Sequence, residues 1–137
     1  MMSKFEENKR FLLGYRKIMD KIERLEEKLK VLTDRYELKA QAYSDEPKGG
    51  GRPATLEDMV IQKEKLESRI AAYYSKSRAI RDRFEKAAEK MDNQTEARIL
   101  DYYFFEGMTL EQIADELGYT VRHVSRLYHH GLSVIDL

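Results

Sequence analysis

The sequence predicts an all-α protein, in which a long antiparallel helical hairpin of the coiled-coil kind precedes a three-helix tail. Two long stretches carry apolar residues at alternating three- and four-residue spacing, which is typical of a narrow helical seam. A stretch rich in proline and glycine separates them, and the last thirty residues fit a helix-turn-helix. We therefore predict two domains, the hairpin at residues 1–91 and the tail at residues 92–137.

The first long helix is predicted over about residues 5–43. Its seam is interrupted at Lys39 and consists of Tyr15, Ile18, Ile22, Leu25, Leu29, Leu32, Tyr36 and Tyr43. The sequence then reads DEPKGGGRPA over residues 45–54. Two prolines and three consecutive glycines cannot continue a helix, so this segment is predicted to be a flexible loop.

The second long helix is predicted over residues 56 to about 91, with Thr55 and Asp58 at its N-terminal cap. Its seam is interrupted at Lys63 and Ser77 and consists of Met59, Leu66, Ile70, Tyr73, Ile80, Phe84, Ala87 and Met91. Because a two-helix hairpin encloses little core, we expect it to pack on the tail or on a second copy of the chain. The simplest such assembly is a homodimer, and a higher homo-oligomer is the alternative.

Three shorter helices are predicted in the tail, over residues 94–106, 110–117 and 121–135. Gly107 is well placed to end the first of them. Thr109 with Gln112 forms the capping-box pattern at the start of the second, and Thr120 is a suitable cap for the third.

Residues 110–129, LEQIADELGYTVRHVSRLYH, fit a helix-turn-helix position by position. A small residue, Ala114, stands where the two helices cross, and Gly118 stands at the turn, where a left-handed backbone is easiest without a Cβ. The apolar positions that hold such a unit together are occupied by Ile113, Leu117, Val124 and Leu127. The second helix of this motif is usually the one that enters the major groove of DNA.

The composition excludes several classes of protein. The chain has no cysteine, which excludes disulfides and thiolate chemistry and fits a reducing cytoplasm. No apolar run is long enough to cross a bilayer. The sequence has no paired-carboxylate pocket, nucleophile elbow or cofactor fingerprint. We therefore expect a cytoplasmic protein that is not an enzyme and needs no cofactor.

The charge is distributed unevenly along the chain. Residues 1–91 contain 22 basic and 17 acidic side chains, a net charge of +5, whereas residues 92–137 contain 3 basic and 8 acidic, a net charge of −5. DNA binding normally depends on lysine and arginine that neutralise phosphates. The acidic tail therefore counts against strong DNA binding by the tail alone, and the basic N-terminal region could supply the missing positive charge.

A cluster of basic residues lies near the end of the second long helix. It consists of Arg78, Arg81, Arg83, Lys86 and Lys90. These side chains could run along phosphates, or they could form an ordinary solvated face paired with Asp82, Glu85 and Glu89. We favour the second interpretation.

Two motifs in the tail carry a family resemblance. The segment ILDYYFFEGMTLEQIADELGY at 99–119, followed by TVRHVSRLYHHGL at 120–132, resembles region four of bacterial sigma factors, which reads promoter DNA and touches the polymerase. The layout of residues 15–135 is similar to small phage-encoded transcription regulators of the ArpU and RinA type. Those proteins have a charged helical N-terminal half, a loop resembling YSDEPKGGGR at 43–52, and a sigma-like tail ending in G-Y-x-x-R-x-V-x-R-L, here Gly118 to Leu127.

The resemblance implies a phage or prophage transcription regulator that acts on late or packaging-related genes. It implies double-stranded DNA as a partner and RNA polymerase as a second one. The chain departs from the pattern at Tyr103, His129 and His130, where such tails often carry basic residues. It therefore has fewer permanent positive charges than the pattern expects.

In this motif the start and the outward face of the second helix make most of the major-groove contacts. The corresponding residues are Thr120, Val121, Arg122, His123, Ser125, Arg126 and His129. Arg122 and Arg126 are one turn apart, and arginine can bond O6 and N7 of guanine in a fork that lysine cannot match. The alternative is that both arginines lie in water or pair with Asp115 or Glu116. His123 and His130 could share a face, but two ligands make a poor metal site, so none is predicted.

A second interpretation is a protein-interaction adaptor. In it the acidic tail docks on RNA polymerase or another regulatory protein without reading DNA, and the hairpin is a coiled-coil adaptor. The uneven charge favours the adaptor, whereas Arg122 and Arg126 favour DNA reading.

Overall fold

The computed structural model of the chain describes the backbone of residues 1–45 and 53–137 and the side chains of residues 1–42 and 56–137. In these residues the chain forms five helices and no strand, as the sequence predicts. The helices are α1 (Lys4–Asp45), α2 (Pro53–Glu89), α3 (Gln94–Phe104), α4 (Leu110–Leu117) and α5 (Val121–Val134). None of the helices in the described part of the chain has the length and apolarity needed to cross a membrane.

The two long helices extend further into the predicted loop than expected. Helix α1 continues through Asp45, and α2 begins at Pro53. Proline is tolerated in the first turn of a helix because its missing N–H would have no partner there. Thr55 therefore lies inside α2 and not at its cap, so that part of the prediction was wrong. The rest of the predicted loop, residues 46–52, lies outside the described residues.

Within residues 19–75, helices α1 and α2 pack antiparallel, as predicted. The Lys21 ammonium lies over the Tyr73 ring at 5.5 Å from its centroid. Further along α1, Val31 shares a groove with Leu66 of α2. Residue numbers thus rise along α1 while those of the partners fall along α2.

The chain divides into two compact units. Unit 1 consists of residues 1–18 and 76–137, and unit 2 of residues 19–75. The predicted domain boundary, between residues 91 and 92, stays a prediction. The compact units are divided elsewhere because the ends of both long helices contribute to the core around the tail.

The core of unit 1 joins all five helices. Leu12 of α1 and Phe84 of α2 are fully buried in it. The tail contributes the equally buried Ile99, Leu100, Phe104, Ile113, Val124, Leu132 and Ile135. Of the predicted packing positions, Ala114 is also buried, whereas Leu117 and Leu127 are partly buried against this core.

Unit 2 has a thin core. Ile22, Leu25 and Ile70 are its buried apolar residues among those described, while Val31 and Leu38 are at least half exposed. Two helices alone cannot cover the apolar surface of both.

Candidate nucleic-acid interface

Local sequence signals fix the ends of the helix-turn-helix. At the start of α4 the Thr109 hydroxyl accepts from the Gln112 N–H at 3.1 Å, and the Gln112 side chain accepts from the Thr109 N–H at 2.9 Å. Gly118 ends α4 with a left-handed backbone at φ 71°. The Thr120 hydroxyl then accepts from the His123 N–H at 3.1 Å and caps α5. All three of these predicted features are confirmed.

Helix α3 ends at Phe104, two residues before its predicted end at residue 106. There the Glu106 N–H bonds to the Asp101 carbonyl five residues back, which departs from the i→i−4 pattern of an α-helix. Gly107 then adopts φ 72°, which brings the Met108 N–H to 3.0 Å from the Tyr102 carbonyl and closes the turn.

The outward face of α5 presents two arginines. Arg122 and Arg126 are exposed and one turn apart, and Arg126 Nη2 lies 2.8 Å from His123 Nδ1. Among the residues that the structure describes, neither arginine forms an ion pair, so the alternative of pairing with Asp115 or Glu116 is not observed. Both arginines are exposed, and one guanidinium nitrogen of Arg126 contacts His123 within the protein.

The residues around the arginines differ in exposure. Val121 is 42% exposed and Ser125 is partly buried. Tyr119 was missed by sequence reasoning: it is 40% exposed, and its ring packs edge-on against His123 at 4.9 Å between centroids. Tyr119 lies in the turn directly before α5, and this position in the sequence was the one sign that it stands next to the predicted contact residues.

The three histidines lie in different surroundings. The His129 ring stacks on Phe5 of α1, with centroids 5.1 Å apart and planes 27° apart. His130 Nδ1 lies 2.8 and 2.9 Å from the two carboxylate oxygens of Glu96, which is 4% exposed. Within the described residues there is no group of three side chains that could hold a metal ion.

The C-terminal end of α5 is held by the N-terminal end of α1. The side-chain amide of Asn8 donates to the carbonyl oxygens of Leu132 and Ile135 at 2.8 and 2.9 Å. Asn8 is buried, although it is polar. Carbonyls in the last turn of a helix lack partners within the helix, so this amide satisfies groups that would otherwise be unpaired.

Two arginines of the α2 basic cluster have partners inside the protein. Arg83 Nε donates to the Leu137 carbonyl at 2.7 Å, and its guanidinium lies over the Phe11 ring at 4.8 Å. Arg81 lies 3.8 Å from a Glu85 oxygen and 3.9 Å from Asp101 Oδ1. The contacts of these two residues agree better with a face of side chains paired inside the protein than with side chains that run along DNA phosphates. Burial raises the pKa of Asp101 above its ordinary value, and the charge of Arg81 opposes this rise.

Residues 102–105, at the end of α3, are four consecutive aromatic residues whose rings pack partly within the tail and partly on the long helices. Phe104 is buried against Tyr128 of α5, while the Phe105 ring lies 4.6 Å from that of Tyr15 and 4.9 Å from that of Phe84. These rings therefore join the tail to α1 and α2. Burial also raises the pKa of Tyr128 far above its ordinary value.

The Arg16 side chain holds α1 to the same run. It donates a hydrogen bond to the Tyr103 carbonyl oxygen, and its guanidinium carbon lies 4.5 Å from the centroid of the Tyr103 ring. Position 103 thus takes part in the packing of α1 on α3.

Comparison with known proteins gives one family match. Residues 93–135, which contain α3, α4 and α5, match the model of Sigma-70, region 4. A search of curated proteins gives no match, and neither does a search of solved structures. Region 4 domains bind DNA and RNA polymerase and are regulatory, not catalytic. The C-terminal part of the chain is therefore similar to sigma region 4, as predicted, and this similarity indicates a DNA-binding helix-turn-helix with a role in transcription.

Proposed function

We propose that the chain is a sequence-specific, DNA-binding transcription regulator of a phage or prophage, acting on late or packaging-related genes. The exposed pair Arg122 and Arg126, one turn apart on α5, is the observation that carries the DNA-reading part of the proposal. The phage origin and the target genes rest on the similarity in layout to phage regulators of the ArpU and RinA type.

In this proposal α5 enters the major groove of double-stranded DNA. Arg122 and Arg126 bond guanine edges, and the exposed Val121 packs on a thymine methyl group. The remaining predicted contact residues, at the start and on the outward face of the helix, bind phosphates or base edges: Thr120, His123, Ser125 and His129.

The proposed regulator is a homodimer joined through the hairpin of unit 2. Val31, Leu38 and Ile61 are at least half exposed in the single chain, and a second hairpin would cover apolar surface of this kind. Two-fold symmetry then predicts an inverted repeat whose half-sites are separated by whole helical turns. Light scattering at several protein concentrations measures the stoichiometry, and a monomer at all of them would exclude this part of the proposal.

The adaptor remains the second candidate because the matched region is acidic. Residues 93–135 contain 3 basic and 6 acidic side chains, a net charge of −3. Such a surface is unfavourable near DNA phosphates and suits a basic protein partner. In this case the tail docks on RNA polymerase or another regulatory protein, and the arginines of α5 contribute to that interface.

The first experiment is selection of bound sequences from a random duplex pool, followed by affinity measurements on the enriched sequence and a scrambled one. Replacing Arg122 and Arg126 with alanine should weaken binding to the enriched sequence at least about thirtyfold, since a forked arginine–guanine contact contributes about 1–3 kcal/mol. The matched control replaces Arg10 and Arg98, which are also exposed residues of unit 1, with alanine. It makes the same change in charge away from α5.

The outcomes separate the two candidates. Enrichment of a sequence and a loss of specificity confined to the Arg122/Arg126 variant support the regulator. Absence of enrichment, with weak and strongly salt-dependent binding that both variants reduce equally, supports the adaptor.

A further inference from the structure

The first turns of α1 lie against the C-terminal half of the proposed DNA-reading helix. The stacked pair of Phe5 and His129 and the hydrogen bonds from Asn8 hold them there. His129 is three residues after Arg126 and seven after Arg122, so all three fall on one face of α5. The start of α1 therefore borders the face that would meet DNA.

Two lysines flank the side of α1 that contacts α5. Lys9 follows Phe5 by one turn, and its ammonium nitrogen lies over the Phe5 ring at 5.9 Å from the centroid. Lys4 precedes Asn8 by one turn and is exposed. The Lys9 ammonium thus stands beside the ring that stacks on His129.

The other side of α1 has a mixed charge. At 3.6 residues per turn Glu6, Glu7, Arg10 and Lys17 fall on the half of the helix turned away from Phe5 and Asn8. The two glutamates therefore do not stand between the flanking lysines and the edge of α5.

Unit 1 needs positive charge from outside the matched domain if it is to bind DNA. Residues 93–135 have a net charge of −3, whereas residues 1–18 contain 5 basic and 2 acidic side chains, a net charge of +3. In the α2 basic cluster, Arg81 and Arg83 are already occupied by partners within the protein. The start of α1 combines positive charge with direct contact to α5.

We propose that Lys4 and Lys9 bind DNA backbone phosphates beside the groove that α5 enters, so that the N-terminal helix is a second DNA-contacting element. This inference rests on the proposed function. Phosphate contacts set the position of a protein on the duplex and supply affinity, but they carry no sequence information directly. The two lysines should therefore affect affinity and salt dependence, whereas Arg122 and Arg126 should affect the choice of sequence.

The test measures the salt dependence of binding of the full chain to the enriched duplex and to a scrambled one. Each neutralised phosphate contributes about 0.9 to the slope of log affinity against log salt concentration. Replacing Lys4 and Lys9 with glutamine should reduce that slope by up to about 1.8 on both duplexes and leave their affinity ratio unchanged. Replacing both with arginine keeps the charge and should retain the wild-type slope.

The matched control replaces Arg10 and Lys17 with glutamine, which removes the same charge from the opposite side of the same helix. Circular dichroism of each variant checks that its helices are retained. Equal slopes for the two glutamine pairs would overturn the inference and leave the proposed function standing, provided that the Arg122/Arg126 variant still loses specificity. If the wild-type chain selects no sequence and shows no specific binding, both the inference and the proposed function fall.

Discussion

Replacing Asn8 with alanine removes two buried hydrogen bonds that hold the end of α5 to α1. The Leu132 and Ile135 carbonyl oxygens lose a donor at 2.8 and 2.9 Å, and the packed helices leave little access for water. A net hydrogen bond contributes about 0.5–1.5 kcal/mol, and leaving a buried group unpaired costs about 1–3 kcal/mol. We therefore expect the free energy of unfolding to fall by about 2–4 kcal/mol.

Urea unfolding followed by circular dichroism measures this loss, and amide hydrogen exchange over residues 121–137 locates it. Asn8→Asp should destabilise the protein further at neutral pH, because a carboxylate would face two carbonyl oxygens without a donor. Part of that additional loss should disappear in acid, where the protonated carboxyl group can donate again. Gln62→Ala, at an exposed position of α2, is the control and should change stability by less than about 0.5 kcal/mol. A loss below about 1 kcal/mol for Asn8→Ala, with unchanged exchange at the end of α5, would refute the reasoning.

Substitutions at three further positions test local features of unit 1 through thermal unfolding. Because burial raises the pKa of Asp101, deprotonation costs more in the folded state, and stability falls as the pH rises through the ordinary value near 3.8. Asp101→Asn should therefore be more stable relative to the wild type at about pH 7 than near pH ~3; a difference between the two proteins that is independent of pH would contradict this. Gly118→Ala should cost about 1–2 kcal/mol because φ is 71°, and Gly118→Asn should cost less; equal losses would exclude the conformational cause. Thr109→Ala should cost about 1 kcal/mol through loss of the cap, and Thr109→Ser should cost little; similar melting temperatures for the two would contradict the capping role.

The helix-turn-helix could be predicted closely because its determinants are local. Thr109 with Gln112, Gly118 and Thr120 act on backbone groups within a few residues of themselves, so the bounds of α4 follow from the sequence alone. The two long seams likewise indicate which sides of α1 and α2 face each other. The prediction was wrong at Pro53, where the sequence predicts a break in the helix. Proline is favourable in the first turn of a helix, and α2 begins at this residue.

The contacts that position α5 could not be predicted because they join distant parts of the chain. Asn8 is separated from Leu132 by 124 residues, and a lone polar residue in a charged helix has no local property that indicates such a partner. The same holds for Phe5, which has no pattern linking it to His129. The outward positions of α5 were predictable from the motif, whereas their surroundings depend on how α1 packs on the tail.

The Asn8 hydrogen bonds also constrain the order of events during synthesis. Asn8 is made 124 residues before Leu132, and at about 5–20 residues per second this delay is about 6–25 s. During that time Leu12, which is fully buried in the finished protein, stays on an emerging helix without the tail that covers it. Until the tail has been made, the nascent chain therefore presents an apolar surface that a chaperone can bind.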